Sequence, residues 1–523
     1  MDTVVQWNIR GLRSNFEEMK LLLNRSQSAV VALQECRLGE GQVTPRGYTL
    51  LLPQDGQIIS NLKDHADHLA ETFSNNSSSE NYSKNFQQTK QRAEKVHLNF
   101  SSDNNEPYNN PLLMSELKNS IVETNESAAG PDGVYYQFLR HLPESCLHTL
   151  LKLFNNIWTT GDIPPSWREA SVIPIPKRGK DPSDPSNYRP IALTSCLCKT
   201  LERMVNDRLV HVLVSRNLLS NVQCGFRKDH STLDHLVRLE TFTKKAFARK
   251  KQVLAVFFDL EKAYDTTWRY GILKDLFDLD FRGRLPIFIS NFLKDRHFKV
   301  KAENTFSSSY HQENGVPQGS ILSPMLFYLK INNIIKSVSK HVNASLFVDD
   351  FAIYAEGKHL QHLERTIQLC INNVQKWVSE NGFRFSVSKT TCVHFHRQRT
   401  YTEPALHLDG QPIPVKGEAK FLGVVFDWKL TFYNHVQYLK KKCLKALNLL
   451  LVVGHTDWGA DRATLLKLYR TLVRSKLDYG SVIYGSAKKH VLTALDPIHH
   501  QGLRLIDDIT ESGKLVLQGA FPK

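Results

Sequence analysis

Two adjacent carboxylates, Asp349 and Asp350, interrupt the otherwise apolar residues 345–354. The aromatic and β-branched residues on either side predict a hairpin with the two aspartates at its turn. At ~4 Å and an effective dielectric constant near 20, two such charges repel by about 4 kcal/mol. A divalent cation removes this conflict, so the doublet is a candidate site for metal-assisted phosphoryl transfer. A solvated turn is the alternative for any isolated pair of aspartates.

Two further segments strengthen the metal hypothesis. Residues 253–260 are a continuous apolar run that ends in Asp259, as expected of a buried strand delivering a ligand at its tip. Residues 315–320 read Gly-Val-Pro-Gln-Gly-Ser, which predicts a turn before a helix with an apolar face from Leu322 to Leu329. This ordered set is much harder to obtain by chance than the doublet alone.

The elements that must position these residues are strands and helices in mixture. From residue 111 onward, the pattern predicts a helix over 150–158, a strand over 170–175 and a helix over 199–217. Residues 253–395 alternate between the two types, and the chain beyond 421 is mostly helical and basic. There Leu465, Leu468, Tyr469 and Leu472 form an apolar stripe, while Lys467, Arg470 and Arg474 share another face.

Composition favours an anionic partner. The 523 residues contain 67 Lys plus Arg against 52 Asp plus Glu, a net charge of +15. Nucleic acid is the first expectation, with an ordinary basic soluble protein as the alternative. The N-terminus lacks the features of a secretory signal, and the longest apolar run, residues 449–453, is too short to span a bilayer. We therefore expect an intracellular protein that does not enter membranes.

Residues 56–110 are predicted to be a disordered linker. Residues 74–85 and 101–110 are rich in Asn, Ser and Glu, and poor in apolar side chains. Such a composition buries too little surface to offset the entropy of the chain.

Eight motifs resemble those of reverse transcriptases from non-LTR retrotransposons, most closely the jockey-like elements of arthropods. They occur in the family's order over roughly residues 128–505. The motifs are Ala129–Gly133, Asn187–Ile191, Gln223–Arg227, Phe258–Asp265, Gly315–Pro324, Phe347–Asp350, Ser388–Thr390 and Phe421–Gly423. The Phe-Val-Asp-Asp sequence differs from the commoner aromatic-Ala-Asp-Asp only by small apolar changes.

The resemblance implies a right-hand α/β polymerase fold with fingers, palm and helical thumb. It divides the chain into an N-terminal extension of the fingers (111–156), fingers and palm (157–427), and a basic thumb with a truncated tail (428–523). The implied activity is RNA-directed DNA synthesis, in which an RNA template is copied from the 3′-hydroxyl of a DNA primer or target. Deoxynucleoside triphosphates are the implied substrates, two Mg²⁺ ions are the implied cofactors, and the compartment is the nucleus or cytoplasm. The oligomeric state does not follow.

The resemblance also implies residue roles. Asp259 and Asp349 would bridge both metal ions with Asp350 more peripheral, and Lys389 would be the general acid that protonates the departing pyrophosphate. The other implied residues are Lys177 and Arg189 at the triphosphate, Tyr264, Gln318 and Gly319 at the incoming nucleotide, Phe421, Leu422 and Gly423 at the primer end, and Lys467, Arg470 and Arg474 along the template–primer backbone. Ordinary packing, capping or a solvated basic surface is the alternative for each residue outside the aspartates.

The first 55 residues resemble the opening of an apurinic-endonuclease-like domain. They predict strand, helix and strand, with Asn8 and Glu35 at that family's first metal-site positions. The later His and Asp motifs of the family do not follow, so we expect a truncated remnant without nuclease activity. A nuclease is thus one rival function, and an inactive nucleic-acid-binding remnant of a retrotransposon is the main one.

Overall fold

The computed structural model describes the side chains of residues 61–102, 106–124, 127–177, 179–225, 230–398, 402–454 and 460–506. Before residue 61, it describes the backbone of four short strands, β1 (Val4–Asn8), β2 (Val30–Gln34), β3 (Leu50–Leu51) and β4 (Ile58–Ile59). The first two pair in parallel and the other two pair antiparallel. The two strands predicted in the first 55 residues are confirmed, whereas the predicted helix between them lies outside the described residues.

A four-stranded antiparallel sheet is at the centre of the chain. Its strands run in the order β11 (Asn343–Phe347), β12 (Asp350–Gly357), β7 (Gln252–Phe258) and β13 (Thr391–Phe395). Every residue of β7 is buried, because its alternate side chains enter hydrophobic clusters on opposite faces of the sheet. Burial on both faces explains the continuous apolar run, and the predicted strand is confirmed.

A second sheet lies beside the first. It is ordered β10 (Tyr310–His311), β8 (His297–Ala302), β5 (Glu169–Pro176) and β6 (Tyr188–Leu193), with β9 (Thr305–Phe306) paired to β8. The remaining strands form two hairpins. These are β14 (His407–Leu408) with β15 (Gln411–Pro412), and β16 (Glu418–Phe421) with β17 (Val424–Asp427).

Helices surround both sheets and confirm the predicted mixed α/β class. In chain order the described α-helices are α1 (Leu62–Asn76), α2 (Lys84–Ala93), α3 (Met114–Val122), α4 (Tyr136–Arg140), α5 (Glu144–Thr160), α6 (Cys196–Ser215), α7 (Thr232–Ala248), α8 (Arg269–Asp278), α9 (Arg284–Leu293), α10 (Ser323–Asn332), α11 (Leu360–Glu380), α12 (Tyr433–Val453), α13 (Arg462–Tyr469), α14 (Ser475–Asp478), α15 (Ser481–Tyr484), α16 (Lys489–Leu492) and α17 (Asp496–Asp507). Among these helices, none combines the length and apolar character that crossing a bilayer requires.

The helix after the Pro-Gln-Gly turn, α10, is more deeply buried than its sequence suggests. Its predicted apolar face is present, but the opposite side is buried as well, including Lys330. The Lys330 ammonium lies 3.0 Å from an Asp275 carboxylate oxygen, which compensates the buried charge. The helix is therefore a central element of the core rather than an amphipathic surface helix.

The predicted disorder of residues 56–110 is wrong for α1 and α2. Leu69 and Phe73 of α1 pack on Val172 and Val300 of the second sheet. In α2, Phe86 contacts Trp268 with ring centroids 5.3 Å apart. These few apolar residues suffice because they dock on a surface that the rest of the chain provides, so a composition argument underestimates them.

The last described part is helical, as predicted. Helices α12, α13 and α17 share one hydrophobic cluster. A π-helical turn, Arg470–Arg474, follows α13 and shifts the buried position from the predicted Leu472 to Val473. The apolar stripe therefore continues past the end of α13 by a wider turn than the sequence period implies.

Candidate active site

The aspartate doublet lies at a tight hairpin turn, which confirms the predicted hairpin. The β11–β12 register pairs Phe347 with Asp350, so Val348 and Asp349 are the two turn residues. Val348 has a φ of 60°, a conformation that costs a β-branched residue on the order of 1–3 kcal/mol. Its amide donates to Gln223 Oε1 at 3.3 Å, which helps to hold the strained turn. Both residues of the doublet keep part of their surface exposed to solvent, although the surrounding protein desolvates their carboxylates.

The third carboxylate comes from the neighbouring strand. The β12–β7 register pairs Phe351 with Phe258, so one more residue along the same ladder places Asp350 opposite Asp259. Facing residues of antiparallel strands have Cα atoms about 4.5–5.5 Å apart. The Asp259 carbonyl accepts a hydrogen bond from the Ser386 amide at 2.8 Å, which fixes the chain just beyond β7. The structure thus brings the three predicted metal ligands to one end of the central sheet.

The three carboxylates repel one another. Desolvation by the surrounding protein, and then the charges of Asp349 and Asp259, together raise the pKa of Asp350 to about 6. The pKa of Asp349 is also raised, first by desolvation and then by Asp259. A shared cation would relieve this repulsion.

One carboxylate oxygen is left for such a cation. Asp259 Oδ2 is buried and accepts no hydrogen bond from any described residue. Lys389 Nζ lies 3.2 Å from that atom, close enough for charge compensation but not aligned as a hydrogen bond. Oxygen ligands without competing donors are what Mg²⁺ prefers, so these residues fit divalent ions.

A turn next to the carboxylates is packed so closely that it requires glycine. A Cβ on Gly315, at φ 77°, would lie 2.5 Å from the carbonyl oxygens of Tyr264 and Asp265. A Cβ on Gly319, at φ 138°, would lie 2.1 Å from the Ala192 carbonyl oxygen. The turn is therefore fitted between the chain after β7 and strand β6.

Tyr264 lies beside this turn, and Gln318 belongs to it. Tyr264 stacks on Phe327 with ring centroids 4.7 Å apart. Burial raises its pKa to about 12, and the Asp349 carboxylate contributes, so the phenol lies near the doublet. Gln318 Nε2 donates to Asp265 Oδ1 at 3.1 Å.

Asp265 is a residue that the sequence predictions did not include. Burial raises its pKa to about 6, against the effects of the Gln318 hydrogen bond, Lys262 and Lys177. The sequence feature that could have identified it is an acidic residue directly after Tyr264, in a segment whose other residues are explained by packing.

The predicted triphosphate residues lie together at the end of the β5–β6 pair. The Lys177 amide donates to the Asn187 carbonyl at 2.7 Å, and Ile175 pairs with Arg189 across the two strands. The pKa of Lys177 is lowered, mainly by burial and then by the charges of Lys389 and Arg189. Three cations therefore face one region beside the carboxylates.

The predicted primer segment is a turn that joins the central sheet to the last helices. Phe421 contacts Phe257 of β7 with ring centroids 5.2 Å apart, and Leu422 and Gly423 form the β16–β17 turn. The Leu422 carbonyl accepts a hydrogen bond from Tyr479 Oη at 2.7 Å.

The predicted basic face of the last helices is only partly available. Lys467 and Arg470 are exposed. Arg474 Nε lies 2.7 Å from Asp478 Oδ1, so its charge is already offset. No contact joins these three side chains to the carboxylates among the described residues.

The predicted vestigial nuclease residues cannot be placed in a site. Glu35 and the side chain of Asn8 lie outside the described residues.

Cys224, His230 and Asp234 form a second group of potential metal ligands, with ligand atoms within 4.8 Å of one another. The Asp234 carboxylate accepts the Ser231 amide at 2.8 Å at the start of α7, where the positive end of the helix dipole opposes a cation.

Comparison with known proteins gives consistent results. Residues 175–426 match the family described as reverse transcriptase (RNA-dependent DNA polymerase). The chain is 29% identical over 406 residues to the RNA-directed DNA polymerase from mobile element jockey of Drosophila melanogaster, covering 76% of this chain and 44% of that protein. It is 27% identical over 528 residues to the probable RNA-directed DNA polymerase from transposon BS of the same organism, covering 96% and 56%.

Among solved structures, apo telomerase from Candida tropicalis aligns with 70% of this chain and 68% of its own, at 11% identity and a TM-score of 0.37. The chain spans about half the length of the curated relatives described above. The motif order, the converging carboxylates and the family and sequence matches lead to one conclusion. Residues 175–426 form a reverse transcriptase domain similar to those of jockey-like non-LTR retrotransposons.

Proposed function

We propose that this chain is the RNA-directed DNA polymerase of a non-LTR retrotransposon, which extends a 3′-hydroxyl primer by nucleotidyl transfer. The observation that carries the proposal is the convergence of Asp259, Asp349 and Asp350 at one end of the central sheet. The matched family and the names of the relatives support RNA as the template. The central sheet would be the palm, the β5–β6 sheet part of the fingers, and the helices from α12 onward the thumb.

The reaction needs a nucleophilic 3′-oxygen and a neutralised leaving group. Two Mg²⁺ ions would supply both when bound. Asp259 and Asp349 would hold these ions, with Asp350 contributing less directly. The raised pKa values of Asp349 and Asp350 support this assignment, because each is raised in part by the charge of a neighbouring carboxylate. Asp259 Oδ2 accepts no hydrogen bond from a described residue, although Lys389 Nζ lies 3.2 Å away.

The cations beside the carboxylates would bind the triphosphate. Arg189 can grip phosphate oxygens with two donors, while Lys177 supplies a compact charge. Lys389 pairs with Asp259, and 67% of its side chain is exposed, so its ammonium would have room to approach a leaving pyrophosphate. As a general acid it would contribute on the order of 10²- to 10⁴-fold.

The nucleotide would lie between the doublet and the Pro-Gln-Gly turn. Tyr264 is held rigidly by its stacking on Phe327 and would exclude a 2′-hydroxyl from below the sugar. Gln318 and Gly319 would contact the incoming nucleotide, because the glycine lets the backbone approach closely. The Phe421–Gly423 turn would hold the primer end, and Lys467 and Arg470 would follow the duplex backbone in a ribonucleoprotein of the nucleus or cytoplasm.

The test is primer extension on matched RNA and DNA templates with Mg²⁺ and deoxynucleoside triphosphates. We expect wild type to extend on RNA and Asp349→Asn to lose extension while keeping template–primer affinity within about two-fold, because phosphate contacts give the affinity. Asp278→Asn is the control, since Asp278 is an exposed partner of Lys274 at 2.6 Å. Synthesis by the Asp349 variant would refute the metal assignment. A wild type that binds but does not extend would establish the inactive remnant instead.

A further inference from the structure

The Gln318–Asp265 hydrogen bond fixes which end of the Gln318 amide faces the site. An ionised carboxylate only accepts hydrogen bonds, so Asp265 selects the amide nitrogen and turns Oε1 to the other side. Without Asp265, both ends of the amide would be equally able to face the site. The carboxylate thus selects one of the two orientations that the Gln318 amide could otherwise adopt.

Asp265 is not needed to hold the backbone of the turn. The Gln318 carbonyl accepts the Ala192 amide at 2.7 Å, and the Val316 amide donates to the Tyr264 carbonyl at 3.0 Å. Beyond the turn, Glu202 Oε2 accepts the Ile321 and Leu322 amides at 2.8 and 3.1 Å. The backbone is therefore anchored on both sides, and Asp265 acts on the side chain alone.

Space for the amide to move is present beside this pair. A cavity of about 40 Å³ is lined by Asp265, Gln318 and Val316, among other residues. That volume is close to the share of one water molecule. Loss of the carboxylate would enlarge it and free the amide to rotate without disturbing the anchored backbone.

We propose that Asp265 is a positioning residue of the nucleotide site, which orients the Gln318 amide toward the incoming nucleoside triphosphate. This inference rests on the proposed polymerase function and adds a residue that binds neither metal nor nucleotide. It requires that the effects of Asp265 and Gln318 on nucleotide use are coupled, because one residue acts through the other.

The test is a double-mutant cycle in steady-state extension on RNA. We expect Asp265→Ala to raise the nucleotide KM roughly ten-fold, the equivalent of one lost hydrogen bond, with kcat changed less than about three-fold. The double variant with Gln318→Ala should be no worse than Gln318→Ala alone. Asp265→Asn should restore most of the affinity, because its Oδ1 can accept the same bond.

The control is a second Asp–Gln pair with a similar Nε2–Oδ1 distance, far from the site in sequence. Asp409 Oδ1 accepts Gln375 Nε2 at 3.0 Å on an exposed surface, so Asp409→Ala should leave the KM unchanged. The inference is overturned if the effects of Asp265→Ala and Gln318→Ala on the nucleotide KM multiply in the double variant. It is also overturned if Asp265→Ala and Asp265→Asn both lower kcat and the melting temperature. A wild type without extension would instead overturn the polymerase proposal and this inference with it, so the two failures are distinguishable.

Discussion

At the scale of the residue, the closely spaced carboxylates and the strained turn lower the stability of the folded chain. Asp349 and Asp350 are held close to Asp259 although their pKa values are raised, and Val348 is strained to make the turn. Such unfavourable features persist only where the surrounding structure imposes them, and they concentrate at functional sites. The mutual repulsion of the carboxylates at this end of the sheet therefore favours the binding of a divalent cation.

A stability measurement can test this view at Asp350. Its folded pKa of about 6 lies above the ordinary value of 3.8, so the folded state binds the proton more tightly. Without metal, the contribution of Asp350 to the stability of the wild type should therefore fall as pH rises from about 4 to 6 and stay lower above that range. We expect Asp350→Asn to raise the melting temperature at pH 7.5 without metal.

Added Mg²⁺ should shift the comparison of melting temperatures in favour of the wild type. It should stabilise the wild type more than the Asp350 variant, because the ion binds the ionised site. Thermal unfolding with Mg²⁺ and with a chelator checks both statements, and Asp278→Asn serves as the neutral control. An Asp350 variant less stable than wild type without metal would contradict the electrostatic account.

At the scale of the element, the first described helices are part of the domain. Helix α1 lies on the second sheet, and α2 lies on the chain after β7, so both cover surfaces that would otherwise be exposed. Their polar residues serve as caps. Asn61 accepts the Lys63 amide at 2.9 Å at the start of α1, and Ser83 accepts the Phe86 amide at 3.2 Å at the start of α2. The polar composition thus reflects helix boundaries rather than disorder.

Truncation of the buried face of α1 tests this role. Phe73→Ala should lower the free energy of unfolding by about 3–5 kcal/mol, because a ring packed on the second sheet is lost. Glu71→Ala, on the exposed side of the same helix, should change it by less than about 0.5 kcal/mol. Denaturant unfolding provides the measurement. Equal, small effects of the two substitutions would show that α1 is not docked in solution.

At the scale of the whole molecule, charge governs association. The net charge of +15 implies that phosphate contacts dominate the binding of a template–primer duplex. Only cations without a carboxylate partner contribute fully, and Arg474 has such a partner in Asp478. Lys467 and Arg470 are exposed cations of the last helices without a described ion pair.

Salt titrations of duplex binding distinguish the contributions of these cations. Lys467→Ala and Arg470→Ala should each weaken duplex binding and reduce the slope of log affinity against log salt by about 1. Arg474→Ala should reduce the slope less, because Asp478 already offsets its charge. Fluorescence anisotropy between low and physiological salt provides the measurement. Equal slopes for all variants would remove the last helices from the duplex-binding surface.

The sequence by itself determined the local elements and predicted the three carboxylates of the candidate site. Continuous apolar runs and alternating patterns predicted β7, the β11–β12 hairpin and α10, because burial on one or two faces leaves a direct trace in residue type. Ordered motifs identified the family. These features depend on neighbours along the chain, which a sequence displays.

The tertiary structure decided what depends on residues distant along the chain. It placed Asp259 opposite Asp350 through strand register, and it docked α1 on the second sheet. It also paired Asp265 with Gln318. Each of these outcomes is a contact between side chains whose spacing in sequence carries no information, because only packing brings them together.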